Sequence, residues 1–253
     1  MLSEFTSYPY KFLRTDTFLK TVSSPASPFS REFRFYLKYL QEIYSSEKLS
    51  ELLKVNFVGS PLIASIRYKT TFVRTQHLYQ IELFKHLTGI SLLDTSDVIL
   101  DFGAGYGDMA NLVQKNNPNK PTYIMVDTPI QNYFQYKFLK SIFKDDVIWL
   151  RSNNMKIVRN KINILSVLDL DIAKDIDNEP SIFWATYSIT ETNFSLVNML
   201  LNTILHKFKH YFIAYQSRNE QFPQGKDIAK NLKEELKLVY YTNGRENGNF
   251  IYG

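Results

Sequence analysis

Cysteine is absent from the 253 residues, which excludes disulfides and thiolate metal sites. No apolar run approaches the roughly 20 residues needed to cross a bilayer. The opening Met1-Leu-Ser-Glu-Phe-Thr-Ser-Tyr-Pro-Tyr-Lys11 lacks the basic-then-apolar order of a secretory signal, so a cytoplasmic location is expected. Only four histidines occur, a short supply of imidazole for acid–base work. The net charge of +5 is mild, and no run of five basic residues stands in the chain. Such charge reads as lysines scattered on solvated faces, and a nucleic-acid partner, which wants a concentrated basic stripe, is not expected. Glycine is also sparse, at nine residues, yet three of the nine fall between positions 103 and 107.

What is present suits a globular α/β chain. Hydrophobic residues make up 44% and charged residues 22%, an ordinary balance with ample core material. Residues 1–30 carry Pro9, Pro25 and Pro28 and read as an irregular, aromatic-rich arm with a short helix near 12–20, capable of forming a dimer contact. Ser30 is a candidate N-cap for a helix through Phe33, Tyr36, Leu37, Leu40 and Ile43, and a second short helix is expected at 46–54. Val58-Gly59-Ser60-Pro61 signals a turn, and 69–88 has helical spacing closed by Gly89.

Helix–strand alternation then takes over. Strands are predicted at 98–100, 121–127, 181–185 and 211–215. Helices are predicted at 129–143, 194–208 and 226–235. Two apolar runs compete for the third strand: 162–167 is favoured, with 147–150 as an insertion or edge element. A terminal hairpin should join 236–242 to 250–252 around Asn243-Gly244.

The informative stretch is Asp97-Val-Ile-Leu-Asp101-Phe-Gly103-Ala-Gly105-Tyr106-Gly107-Asp108. A buried strand running into glycines at alternate positions, followed by helical spacing from Asp108, places a tight turn at a helix N-terminus. The pattern is not the dinucleotide Gly-x-Gly-x-x-Gly. A carboxylate at position 108 should repel a pyrophosphate at the helix start, which disfavours a nicotinamide dehydrogenase. An acid ahead of the first glycine suits a cationic group such as an ammonium or a sulfonium. Asp127, 26 residues after Asp101, should end the next strand, where a carboxylate can accept ribose hydroxyls.

In Asp101, Gly103, Gly105 and Gly107 the chain resembles the S-adenosylmethionine-dependent class I methyltransferases. That resemblance implies a Rossmann-like methyltransferase fold, a mostly parallel seven-stranded sheet with an antiparallel last strand. An N-terminal helical segment (1–90) would precede the cofactor domain (91–253). It implies S-adenosyl-L-methionine as cofactor, with the glycine turn against its methionine and ribose portions and Thr128 and Ser188 beside them.

Between about 58 and 215 the chain also resembles the sugar O-methyltransferases of bacterial surface-glycan gene clusters. Val58-Gly59-Ser60-Pro61 is similar to that family's Gly-Asn-Pro segment, and Asp127-Thr128-Pro129 to its Asp-Leu-Pro. Thr186-Tyr187-Ser188-Ile189-Thr190-Glu191 is similar to its Ser-Phe-x-Glu-Met, with Ile189 and Thr192 in place of Phe and Met. The implied acceptor is a small-molecule or glycan hydroxyl. Such a hydroxyl is a poor nucleophile and needs a general base. His77 and Glu191 are the candidates, Glu191 with the alternative role of an acid near a helix N-terminus. Arg74 and Tyr106 are the expected substrate contacts. Asp169 and Asp171 read as solvated loop acids, and no metal is assigned. A nucleic-acid amino-methyltransferase would want Asn/Asp-Pro-Pro-Tyr/Phe where this chain has Ala185-Thr-Tyr-Ser-Ile. A methyltransferase-like binding protein without catalysis is the remaining alternative.

Overall fold

The computed structural model describes residues 31–151, 156–176, 181–216, 222–244 and 248–253. The N-terminal arm, its short helix and the Ser30 cap lie outside them. In chain order the elements are α1 (Arg31–Ile43), α2 (Ser46–Leu53), α3 (Phe72–Thr88), β1 (Val98–Phe102), α4 (Asp108–Asn116), β2 (Tyr123–Asp127), α5 (Pro129–Phe143), β3 (Val147–Trp149), β4 (Ile162–Ser166), β5 (Ser181–Thr186), α6 (Phe194–Thr203), β6 (His210–Tyr215), α7 (Gly225–Glu235), β7 (Val239–Thr242) and β8 (Asn249–Tyr252). The chain divides into two compact units, residues up to 93 with 106–118, and 94–105 with 119–253. Among the described residues no helix is long and apolar enough to cross a membrane.

In the first unit, α3 begins at Phe72 rather than at 69, because the Thr71 hydroxyl caps it by accepting from the Arg74 amide at 3.1 Å. It ends where Gly89, at φ +79°, takes the left-handed conformation and returns its N–H to Lys85. Tyr36 of α1 stacks on Tyr79 of α3, centroids 4.5 Å apart, with Phe35 and Tyr39 edge-on to the same ring. Aromatic packing of this kind adds specificity to the burial it provides. The turn expected at 58–61 is present, with Gly59 and Ser60 both at positive φ.

The second unit is one eight-stranded sheet, order β3-β4-β2-β1-β5-β6-β8-β7. Every pairing from β3 to β6 is parallel, and β8 runs antiparallel to both neighbours. This is the mostly parallel α/β sheet with an antiparallel last strand that the sequence predicts, with one strand more than the expected seven. The addition is β3: β4 is the strand next to β2, and the 147–149 run is the edge. The hairpin forms as expected, with β7 starting at Val239 rather than at 236 and Thr242 pairing with Asn249. The helix expected at 194–208 stops at Thr203 and gives way to a 3-10 turn at Leu205–Lys207, which puts His206 in that turn while His210 opens β6.

One continuous core joins Leu100, Phe183 and Ile213 of the sheet to Val197 and Leu200 of α6 and Ile228 and Leu232 of α7. Within the sheet, Trp184 stacks on Phe212 at 4.2 Å, and Phe212 on Phe250 at 5.3 Å. Parallel strands buried on both faces read as unbroken apolar runs, which is why β1 and β5 were legible.

Candidate functional site

Strand order reverses between β1 and its neighbours β2 and β5. In open parallel sheets ligands bind at the carboxyl ends of strands around such a switch point. The register sets Phe102 of β1 beside Val126 of β2, and Asp101 beside Trp184 of β5. The three carboxyl ends therefore deliver Gly103, Asp127 and Ser188 to one edge of the sheet.

Gly103 stands at φ +73° and donates its N–H to Val126 O at 2.7 Å. A Cβ there would collide with Cβ of Ser188, whose hydroxyl donates to the Phe102 carbonyl. Glycine at 103 is thus required by the close approach of the β5 loop as well as by φ. Gly105, at φ +58°, donates its N–H to Asp127 Oδ2 at 3.1 Å, and Thr128 N donates to Oδ1 at 2.8 Å. Gln135 of α5 donates through Nε2 to Gly105 O at 2.8 Å and to Asp127 Oδ2 at 3.2 Å. Asn132 donates to Gln135 Oε1 and to Leu165 O, each at 3.1 Å. These two buried amides tie the glycine turn to the β2 acid, a role the sequence reading missed. Their signal was two amides on the inward face of an otherwise apolar helix. Tyr187, which follows β5, holds φ +65°, the kind of strained backbone that concentrates at functional sites.

Asp101 and Asp127 are desolvated. Burial raises Asp101 to about 7, against the lowering effect of a 2.9 Å hydrogen bond from Tyr123 and with help from the nearby Asp127 charge. Burial raises Asp127 to about 6, despite the donors from Thr128, Gly105 and Gln135. Among the described residues only neutral groups stabilise either carboxylate. A site with two such acids favours a ligand that brings positive charge. The Asp127 carboxylate accepts three hydrogen bonds where it offers about four acceptor positions, which leaves room for a ligand hydroxyl. The donor set therefore fits a cationic, ribose-bearing cofactor. Thr128 precedes α5 as its N-cap and is exposed, and its side chain makes no capping bond.

Glu191 closes a 3-10 turn, Ile189–Glu191, and burial alone raises it to about 7. It does not sit in the first turn of α6, whose cap is Asn193 accepting from Leu196 N at 2.9 Å. It borders a small cavity with Thr190, Gln216, Phe222 and Gly225.

The first unit holds the other sequence-selected residues. Arg74 is 0% exposed and grips Asp108, with Nε 3.1 Å from both carboxylate oxygens and Nη2 2.8 Å from Oδ1. His77 Nδ1 lies 3.1 Å from Asp108 Oδ2, with 14% of its side chain exposed. Burial would raise Asp108, but Arg74 and then His77 outweigh it and hold the acid at about 2. The Tyr106 ring is buried against the same group; its hydroxyl pKa is driven well above its usual value by burial, then by the Asp108 charge. The Arg74 guanidinium compensates the charge of Asp108, a pairing the sequence reading did not foresee. Asp108 was missed as the partner of His77. Nothing in the spacing of residues 74, 77 and 108 revealed the contact, which joins α3 to a helix start 31 residues further on. Gly107, at φ +96°, begins α4 without a side-chain cap.

Among the described residues no group of three or more His, Asp or Glu could hold a metal ion. No protein-family model and no curated protein matches the chain. Solved structures share its outline at low identity. One is the mitomycin 7-O-methyltransferase MmcR, 10% identical over 88% of this chain and 66% of that one, with TM-score 0.44. A second is Aeropyrum pernix fibrillarin with bound S-adenosyl-L-methionine, 12% identical over 69% and 73%, with TM-score 0.44. A third is the Podospora anserina methyltransferase PaMTH1, 9% identical over 88% of both, with TM-score 0.46. The chain spans slightly under two thirds of the first of these. Likeness at that level assigns neither activity nor substrate, and the site is read from its own residues.

Proposed function

We propose that this chain is an S-adenosyl-L-methionine-dependent O-methyltransferase acting on a sugar hydroxyl, in a surface glycan or a nucleotide-linked sugar. The observation that carries the cofactor reading is Asp127 at the carboxyl end of β2, hydrogen-bonded to the Gly105 amide. The Asp101–Gly103–Gly105–Gly107 turn binds the methionine and ribose portions, Asp127 and Thr128 take the ribose hydroxyls, and Ser188 lines the methionine side. The bound sulfonium supplies an electrophilic methyl group. Desolvated Asp101 and Asp127 favour that positive charge. The sugar acceptor rests on the resemblance of residues 58–61, 127–129 and 186–191 to the sugar O-methyltransferases.

The acceptor hydroxyl must be held in line with the methyl group and relieved of its proton. Glu191, at about 7, is matched to accept a proton near neutrality. His77 is the other base. With Asp108 accepting from Nδ1–H, Nε2 is left as the basic nitrogen, and Arg74 holds Asp108 in place. Arg74 and Tyr106 act on substrate through this buried group rather than as exposed contacts.

Calorimetric titration with S-adenosylmethionine and S-adenosylhomocysteine tests the reading directly. Micromolar binding that weakens at least about tenfold in Asp127→Ala, or roughly 1.4 kcal/mol, is expected. No binding of either ligand would overturn it. Saturable binding without turnover on any glycan acceptor, with Glu191→Ala and His77→Ala as controls, would favour a non-catalytic binding protein.

A further inference from the structure

The +5 charge of the chain is not scattered. Between positions 133 and 161 stand seven Lys and Arg against two Asp, a surplus of five, equal to that of the entire chain. Both acids are already engaged, Asp145 by Lys140 at 3.2 Å and Asp146 by Lys161. This segment contains most of α5, the edge strand β3 and the connection to β4, and among the described residues β4 is the sheet neighbour of β3.

On the surface it builds, aromatic rings and cations are interleaved. Trp149 of β3 lies 5.2 Å from Tyr136 and 6.4 Å from Tyr133. The Arg151 guanidinium lies over the Trp149 ring at 3.7 Å, and the Lys137 ammonium over Tyr133 at 5.6 Å. Tyr133 is 40% exposed, and Lys137 and Arg151 are exposed. A cation held on an aromatic face is pre-positioned and still offers its outward donors. Charge complementarity demands an anionic partner. Single-stranded nucleic acid needs open ring faces on which successive bases stack, and here cations occupy faces of two of the three rings. A chain bearing carboxylates can instead be met without stacking on a ring face, the guanidinium taking a carboxylate in bidentate contact and the ammonium as a point charge.

We infer that Tyr133, Tyr136, Trp149, Lys137 and Arg151 form a docking surface for an acidic polysaccharide, one that carries carboxylates along its length. The choice of a polysaccharide rests on the glycan reading proposed above, and the surface would bring a polymeric acceptor to the protein.

The test uses the full chain, polygalacturonate as ligand, and neutral dextran and oligo-dT as comparators, by calorimetry at several salt concentrations. Binding of polygalacturonate that falls with salt is expected, as for any multi-contact polyanion, together with weaker or no binding of the comparators. The Lys137→Glu/Arg151→Glu variant should bind at least about tenfold more weakly while its S-adenosylmethionine titration stays unchanged. Lys137→Gln/Arg151→Gln supplies the same comparison should the charge reversal disturb folding. Absence of binding, or binding unchanged in both variants, would overturn the inference and leave the cations as guards of an open sheet edge. Tighter binding of oligo-dT would overturn it in favour of nucleic acid. Loss of cofactor binding in the unmodified chain would instead defeat the methyltransferase reading, so the two failures are separable.

Discussion

Two sets of buried acids in this protein are handled in opposite ways. In the first unit Asp108 is 2% exposed yet stays ionised, at about 2, because the Arg74 guanidinium and His77 surround it. In the second, Asp101 and Asp127 have only neutral donors, and burial raises them to about 7 and 6. The first arrangement is complete as it stands. The second is electrostatically unfinished and gains most from a ligand with positive charge. On the function proposed above, the compensated acid orients its neighbours, whereas the two uncompensated acids face the cofactor.

Removing the compensating cation should break that contrast most severely. Arg74→Ala would leave a buried Asp108 carboxylate with His77 as its remaining charged neighbour. A loss of about 3–5 kcal/mol is expected, as for a buried pair deprived of one partner, measured by denaturant unfolding of the full chain. Arg74→Lys, lacking the bidentate fork, should recover only part. A loss below about 1 kcal/mol would mean that Asp108 is not held by charge.

The glycine turn of the second unit offers a smaller effect. Gly103→Ala meets both a positive φ and the Ser188 Cβ, and should cost about 1–3 kcal/mol in stability along with cofactor affinity. Retained stability with retained binding would show that the β5 loop yields easily.

The pH dependence sharpens the comparison most finely. Asp101, Asp127 and Glu191 have native values raised above the unfolded ones. Their contribution to stability is full below about pH 4 and is lost as pH rises through about 6 to 7. Asp108 has the reverse sign: its contribution is present above about pH 4 and is lost as pH falls toward 2. The ligand-free chain should therefore lose stability between about pH 4 and 7. Asp127→Asn should remove part of that fall, on the order of 1 kcal/mol, while weakening cofactor binding. Urea titrations across that range check it; a flat profile for the unmodified chain would contradict the assigned directions.

Several of these features were legible from residue order. Val98-Ile-Leu100 before alternating glycines announced β1 and its turn, Asp127 announced the end of β2, and Gly89 announced the end of α3, because each depends on local conformation or an apolar run. The extra strand was half legible: 147–150 was recognised as apolar, but its place at the edge depends on pairing with β4. The length of α6 was misjudged since apolar spacing continues through 204, 205 and 208, where tertiary burial and not helix holds those side chains. Gln135 and Asn132 went unremarked, as an amide's role depends on which carbonyl or carboxylate the fold sets before it.

Residue order by itself determined the α/β alternation, the glycine turn and the two strand-end acids, since period, glycine φ and strand termination are properties of a few neighbouring residues. Tertiary structure alone decided that Arg74 and His77 meet Asp108, that Gly103 must be bare because Ser188 is there, and that Lys137 and Arg151 lie over Tyr133 and Trp149. Those facts join residues up to 86 positions apart, and whether a charge is paired or desolvated is set by what the fold places around it.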